Sequence, residues 1–216
     1  MELLLQMGHG MQEMSIDLIK SWGGGSIIIS PSNFKVPGIE SVKKFADKIH
    51  KVNGNVLFDP QMFYPKNGHE KLKAYDYWID ENVSITSAKG NEQIDRELFR
   101  INLIINSSYI ILPGIAMNED SLHYGIEWMK SSIEYFRKKT DKPLLGTICL
   151  FSETIRNSNV IEWLAEELKS VSVDGYYILA RPSNNEYINS DPLWLTGMLK
   201  LLTCLKPVSY THLRAH

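Results

Sequence analysis

Six short apolar runs, each followed by a stretch with helical periodicity, constrain the fold of this chain more than any other feature of its sequence. The predicted strands are Leu3–Met7, Ser26–Ser30, Val56–Phe58, Tyr109–Leu112, Leu144–Leu150 and Tyr176–Ala180. Apolar residues three and four positions apart predict helices at Met11–Trp22, Ile39–Ile49, Ile94–Ile105, Leu122–Phe136 and Val160–Leu168, and a last helix that Pro192 opens and that runs through Leu202. Apolar strands that alternate with helices are typical of a parallel sheet covered by helices.

A closed barrel and an open doubly wound sheet both produce this alternation, and two observations favour the barrel. No predicted strand is followed by a glycine-rich phosphate-binding loop, and polar side chains follow nearly every strand, where barrels assemble their active sites. The fold class expected is therefore α/β, a truncated (β/α)8 TIM barrel that contains the first six βα units. Residues 1–206 would form this incomplete domain, with a lid-like, aromatic-rich insertion at residues 60–92.

The last ten residues, 207–216, carry neither helical nor strand periodicity. They resemble the translation of a sequencing adapter, which predicts a non-native tail; a natural C-terminal strand is the alternative. The barrel would then lack its seventh and eighth strands. Its first and sixth strands would be open edges, so the fragment is expected to aggregate.

Charge and cysteine usage exclude some classes of function. The net charge of −2 gives no electrostatic surface for nucleic acid or an anionic membrane. No apolar stretch approaches the roughly 20 residues of a membrane span, and no signal-like segment follows Met1, so a cytoplasmic location is predicted. Cys149 and Cys204 lie in apolar runs and are predicted to be buried free thiols rather than a disulfide or a metal pair.

Two carboxylates that directly follow predicted strands are the candidate catalytic residues. Asp59 ends the third strand, and Pro60 holds it in an extended conformation at the rim. Glu153 follows the fifth strand. The alternatives are an Asp-Pro turn for Asp59 and, for Glu153, the third position of a helix-start motif that begins near Leu150.

Polar and aromatic residues of the same loops are the candidate substrate-binding groups: His9, Asn33, Gln61, Tyr64 and Arg181. Aromatic faces stack on sugar rings and nucleobases, and arginine pairs with carboxylates or phosphates. Ordinary turn residues or an ion pair between Arg181 and a carboxylate would explain the same pattern. Gly8 stands where metal-dependent hydrolases of the barrel class carry a second histidine, so neither a metal nor another cofactor is predicted.

Four strings resemble an uncharacterised bacterial TIM-barrel family: residues 4–11, 22–25, 58–61 and 174–177. A fold-level likeness to tRNA-guanine transglycosylases is carried by Asp174-Gly175-Tyr176. Those enzymes are barrels with a catalytic aspartate, and the likeness implies the same fold here. The glycine-rich run and the glutamine-glycine-glycine segment of that family are replaced by Asp59-Pro60-Gln61 and Phe151-Ser152-Glu153.

The resulting hypothesis is an enzyme that acts at a glycosidic centre, either the C–O bond of a sugar or the C–N bond of a nucleoside. Asp59 would be nucleophile or electrostatic stabiliser and Glu153 general acid/base, with their carboxyl carbons within roughly 10 Å of each other. The insertion at residues 60–92 would lie over the same end of the sheet. The alternatives are a non-catalytic barrel that binds a polar ligand, and a metal-assisted hydrolase built on His9 and Asp59.

Overall fold

The structure, a computed structural model, describes residues 4–6, 12–29, 39–59, 62–66, 71–74, 96, 98–112, 114–117, 122–181 and 192–205. Its strands are β1 (Leu4–Gln6), β2 (Gly25–Ile29), β3 (Gly54–Phe58), β4 (Met62–Lys66), β5 (Lys71–Ala74), β6 (Ile110–Ile111), β7 (Gly114–Met117), β8 (Leu144–Phe151) and β9 (Gly175–Arg181). Its helices are α1 (Gln12–Ser21), α2 (Ile39–His50), α3 (residues 98–104), α4 (Leu122–Arg137), α5 (Ser152–Arg156), α6 (Ser158–Lys169) and α7 (Pro192–Cys204).

The helices form where the sequence has an apolar stripe. In α2, Val42, Phe45, Ala46 and Ile49 are buried, three or four positions apart, while the residues between them are exposed. Turn chemistry sets the boundaries between elements. Gly23 has φ of 75° just after α1, and Asn53 has φ of 59° just before β3, a backbone conformation that glycine and asparagine adopt more readily than other residues.

The strands form two hydrogen-bonded sheets. The first is parallel, in the order β1-β2-β3, with Ile28 opposite Leu57. In the second sheet, β8 pairs in parallel with β9, with β6 at its start and with β7 near its end. β7 in turn pairs with β4, and β4 pairs with β5. The pairing of β4 with β5 is antiparallel.

The prediction of a six-unit truncated barrel is therefore wrong. Within the described residues, no ladder of backbone hydrogen bonds joins β3 to β6, so the parallel strands do not form one sequential sheet. Instead, an antiparallel hairpin from the insertion lies at the edge of the second sheet. The alternation of apolar strands and helices, from which the barrel is predicted, specifies buried parallel strands but not which strand pairs with which.

Two apolar clusters occupy the interior. The larger one packs the helices against the sheets and includes Trp128, Phe136 and Ile148. The smaller one combines residues of both sheets and contains Ile28, Leu57, Ile111, Leu145, Cys149, Tyr177 and Leu179. We call it the inter-sheet cluster. Side chains, not backbone hydrogen bonds, hold the two sheets together there.

Close backbone approaches position the elements around this cluster. The Thr147 hydroxyl donates to the carbonyl oxygen of Leu112 at 2.6 Å, at the point where β6 gives way to β7. On the other side of β8, α7 packs directly on α5: a Cβ added to Gly197 would lie 2.0 Å from the Ile155 carbonyl oxygen. Only glycine allows this approach.

Candidate functional site

Asp59 is the one predicted catalytic residue that the structure buries. It follows β3 directly and is 5% exposed. Its backbone N–H donates to the carbonyl oxygen of Ile29 at 2.8 Å, which continues the pairing of β2 with β3 by one residue. Its Oδ2 accepts a hydrogen bond from the Tyr177 hydroxyl at 3.2 Å. The strand thus delivers a carboxylate to the interior, where burial is costly unless the group is hydrogen-bonded.

Tyr177 is the functional residue that sequence reasoning missed. It lies in the middle of β9, is buried, and pairs in register with Thr147 of β8. Its ring belongs to the inter-sheet cluster, and its hydroxyl crosses from the second sheet to Asp59 at the end of the first. Alternation along β9 would have indicated which face Tyr177 occupies, because Tyr177 and Leu179 share a face. No local pattern indicates that its partner is 118 residues away.

Cys149 lies near Asp59 in the same cluster. Burial raises the pKa of the Cys149 thiol, and the Asp59 carboxylate raises it further. A thiol in this setting stays protonated and is a poor nucleophile. Cys149 is free and buried, and Cys204 is free and half-buried, so the prediction of free thiols is confirmed, with burial complete only at Cys149.

Glu153 has a different setting from Asp59. It is exposed, in the first turn of α5, directly after β8. The alternative for Glu153 is a helix-start motif that begins near Leu150. A helix does start there, with Phe151 as its cap residue, but Phe151 makes no side-chain capping hydrogen bond. Exposure leaves the carboxyl of Glu153 accessible to solvent and to a ligand. The predicted 10 Å separation from Asp59 stays a prediction.

The predicted binding residues are less fully described. His9, Asn33 and Gln61 lie outside the described residues. For Tyr64 and Arg181 the backbone is described: Tyr64 pairs with Lys73 in the β4–β5 hairpin, and Arg181 pairs with Phe151 at the carboxyl ends of β9 and β8.

The insertion at residues 60–92 is described only at β4 and β5, so its role as a lid over the site stays a prediction. The sequence of the insertion also predicts a short helix around residues 70–75, and this prediction is wrong. Lys71–Ala74 is instead a strand. Antiparallel pairing with β4 gives this segment its hydrogen bonds, which a short polar helix would leave to solvent.

The described residues contain no group of three or more histidine, cysteine, aspartate or glutamate side chains that could hold a metal ion. No helix in the described part of the chain is both long and apolar enough to cross a membrane. The sequence gives no match to a model of a known protein family and no significant match to a curated protein.

A buried carboxylate with a phenolic donor has a limited set of roles. It can accept a proton, attack an electrophilic carbon, or stabilise positive charge that develops on a substrate. The Tyr177 hydroxyl favours the ionised form, because it donates to a carboxylate oxygen. The apolar side chains of the inter-sheet cluster lower the local dielectric, which strengthens any interaction between this carboxylate and a cationic transition state.

Proposed function

We propose that this chain is an enzyme that acts at a glycosidic centre, either the C–O bond of a sugar or the C–N bond of a nucleoside. The observation that carries the proposal is the buried Asp59 carboxylate at the end of a parallel strand, held by a tyrosine hydroxyl. An oxocarbenium-like transition state carries positive charge, and a fixed carboxylate in an apolar interior stabilises it strongly.

Asp59 is assigned the role of nucleophile or electrostatic stabiliser. Its burial supports this role, since moving a carboxylate from water into the interior costs free energy that an apolar residue would not cost. A group retained at a cost to the fold is a candidate functional group.

Glu153 is assigned the role of general acid/base. Its exposure supports a proton exchange with solvent between catalytic cycles, which a buried group would make slow. A general acid/base transfers a proton to the leaving group and exchanges it with water, and an exposed carboxyl group can reach both.

The proposal is tested with the full chain and a panel of 2,4-dinitrophenyl glycosides, alkyl glycosides and nucleosides. We expect hydrolysis of at least one class. Asp59→Asn should lower kcat by about 10³-fold or more, because it removes the negative charge that faces the developing cation. The exposed Asp141 offers a control, since Asp141→Asn changes the net charge equally and should leave kcat unchanged.

Glu153→Gln separates the acid/base role from binding. General acid catalysis contributes roughly 10²–10⁴-fold when the leaving group needs a proton. The variant should therefore lose most activity on alkyl glycosides or nucleosides and little on dinitrophenyl glycosides, whose leaving group departs without a proton. Glu40, also exposed and in the first turn of a helix, provides the matched control Glu40→Gln.

Saturable binding of these compounds without turnover would contradict catalysis and favour a ligand-binding protein. Activity abolished by EDTA would favour a metal-assisted hydrolase.

A further inference from the structure

We infer that Tyr177 is a positioning residue for Asp59, an inference that rests on the proposed function: its hydroxyl holds the carboxylate in its ionised form and in one orientation. The geometry is a donor–acceptor pair across two sheets, with Tyr177 Oη 3.2 Å from Asp59 Oδ2. Both residues are buried, so water competes little for either group.

The position of each residue in its strand gives the pair its rigidity. Tyr177 lies on β9, which pairs along its length with β8. Its ring belongs to the inter-sheet cluster, together with Leu145, Cys149 and Leu179. Asp59 extends β3 by one backbone hydrogen bond to Ile29. A donor fixed in a neighbouring strand restricts the rotation of a carboxylate about its side-chain bonds.

The electrostatic effect has a definite sign. A hydrogen bond donated to an ionised carboxylate stabilises that form, so its loss makes the carboxylate easier to protonate. Among the described residues, the Cys149 thiol on β8 also lies near Asp59, and burial raises the pKa of this thiol, so it stays neutral. The acid limb of a pH–rate profile that depends on ionised Asp59 therefore reports on Tyr177.

Tyr177→Phe is the direct test, because it removes one oxygen and keeps the ring in the apolar cluster. With the dinitrophenyl glycoside or nucleoside that the wild-type chain cleaves fastest, kcat should fall about 10- to 100-fold and KM should change less than about threefold. The acid limb of kcat/KM should move up by about one pH unit. An unchanged acid limb would overturn the inference while leaving the proposed function standing.

The neighbouring tyrosine is a matched control. Tyr176 lies on the same strand, is buried, and donates its hydroxyl hydrogen bond to the Leu168 carbonyl oxygen at 2.7 Å on the other face of β9. Burial raises the pKa of Tyr176 to about 12. Tyr176→Phe also removes a buried tyrosine hydrogen bond from β9, so it should lower stability and leave the acid limb where it is.

A readout that does not need turnover separates failure of the inference from failure of the proposed function. The side-chain carboxyl of Asp59 is followed by NMR in chain labelled with ¹³C-aspartate and assigned by the loss of its signal in Asp59→Asn. Its titration midpoint should rise in Tyr177→Phe and should not change in Tyr176→Phe. If Tyr177→Phe fails to fold, 3-fluorotyrosine at position 177, a stronger donor with the same ring, should lower the midpoint. An unchanged midpoint in Tyr177→Phe, or in the protein with 3-fluorotyrosine at position 177, would overturn the inference, whether or not any substrate is cleaved.

Discussion

Asp174 shows how a single side chain can hold the start of a strand pair. Its Oδ2 accepts from the backbone N–H of Leu144 at 2.8 Å and from the Arg137 guanidinium at 2.5 Å. Arg137 is the last residue of α4, and Leu144 is the first of β8. Partial burial acts to raise the pKa of Asp174, but the Leu144 N–H and Arg137 outweigh it, so the pKa is lowered.

This lowered pKa predicts how stability changes with pH. A carboxyl group whose pKa is lower in the folded chain contributes stability above its unfolded value of about 4, and the contribution disappears as the pH falls through the folded value. Asp174→Asn should therefore be less stable than the wild type at pH 7, and the difference should shrink below about pH 4. Urea unfolding of both proteins at pH 7, 5, 4 and 3 measures it; a difference that stays constant to pH 3 would contradict the assignment.

At the scale of elements, local pattern predicted most helices and strands because periodicity is a local property. The stripe in α6 that buries Ile161, Leu164 and Leu168 is visible in the sequence, and so are the apolar run of β8 and the proline that opens α7. The pairing partners of β4 and β5 were not predictable, because a short polar strand acquires its structure from the neighbour it pairs with. Asp59 was predicted as a site residue from its position after β3, whereas its hydroxyl donor was not.

The contact between α5 and α7 yields a prediction at this scale. In most helices Gly→Ala is stabilising by about 1 kcal/mol. Gly197→Ala should instead lower the free energy of unfolding by about 1–3 kcal/mol, because the added methyl group overlaps the Ile155 carbonyl oxygen and forces the helices apart.

Thermal or urea unfolding measures this loss of stability. Thr196 is the adjacent, exposed residue of α7. Its hydroxyl donates a hydrogen bond to the Pro192 carbonyl oxygen, one turn earlier in the same helix. Thr196→Ala should leave stability nearly unchanged, whereas an equally stable Gly197→Ala would show that the two helices are not in close contact.

At the scale of the whole molecule, apolar side chains remain on the surface of α7. Leu193, Leu195 and Leu199 are 64%, 54% and 54% exposed, and Lys200 is the only charged residue of this helix. A helix that is apolar on all sides is ordinarily covered on all sides.

The order of the strands could not be predicted at this scale, since an alternating pattern specifies buried strands without specifying which strand lies beside which.

The exposed leucines predict self-association in solution. Size-exclusion chromatography with light scattering should show the wild-type mass rising with protein concentration, because burying these side chains is favourable. Replacing Leu195 and Leu199 with glutamine should reduce the association and change the free energy of unfolding by less than about 0.5 kcal/mol. Leu201→Gln, at a buried position of the same helix, should instead destabilise the fold. Equal association of wild type and double variant would contradict this expectation.

The hydrogen bond between Asp59 and Tyr177 also bears on the order of folding. The two residues are 118 positions apart, so their contact closes a loop that is more than half of the chain. Loop closure costs entropy before the contact forms, which makes such long-range pairs late events in folding. During synthesis the ribosome releases β3 long before β9, and the carboxylate acquires its donor only after both sheets have docked. Under the proposed function, catalytic competence would arrive with β9 rather than with Asp59 itself.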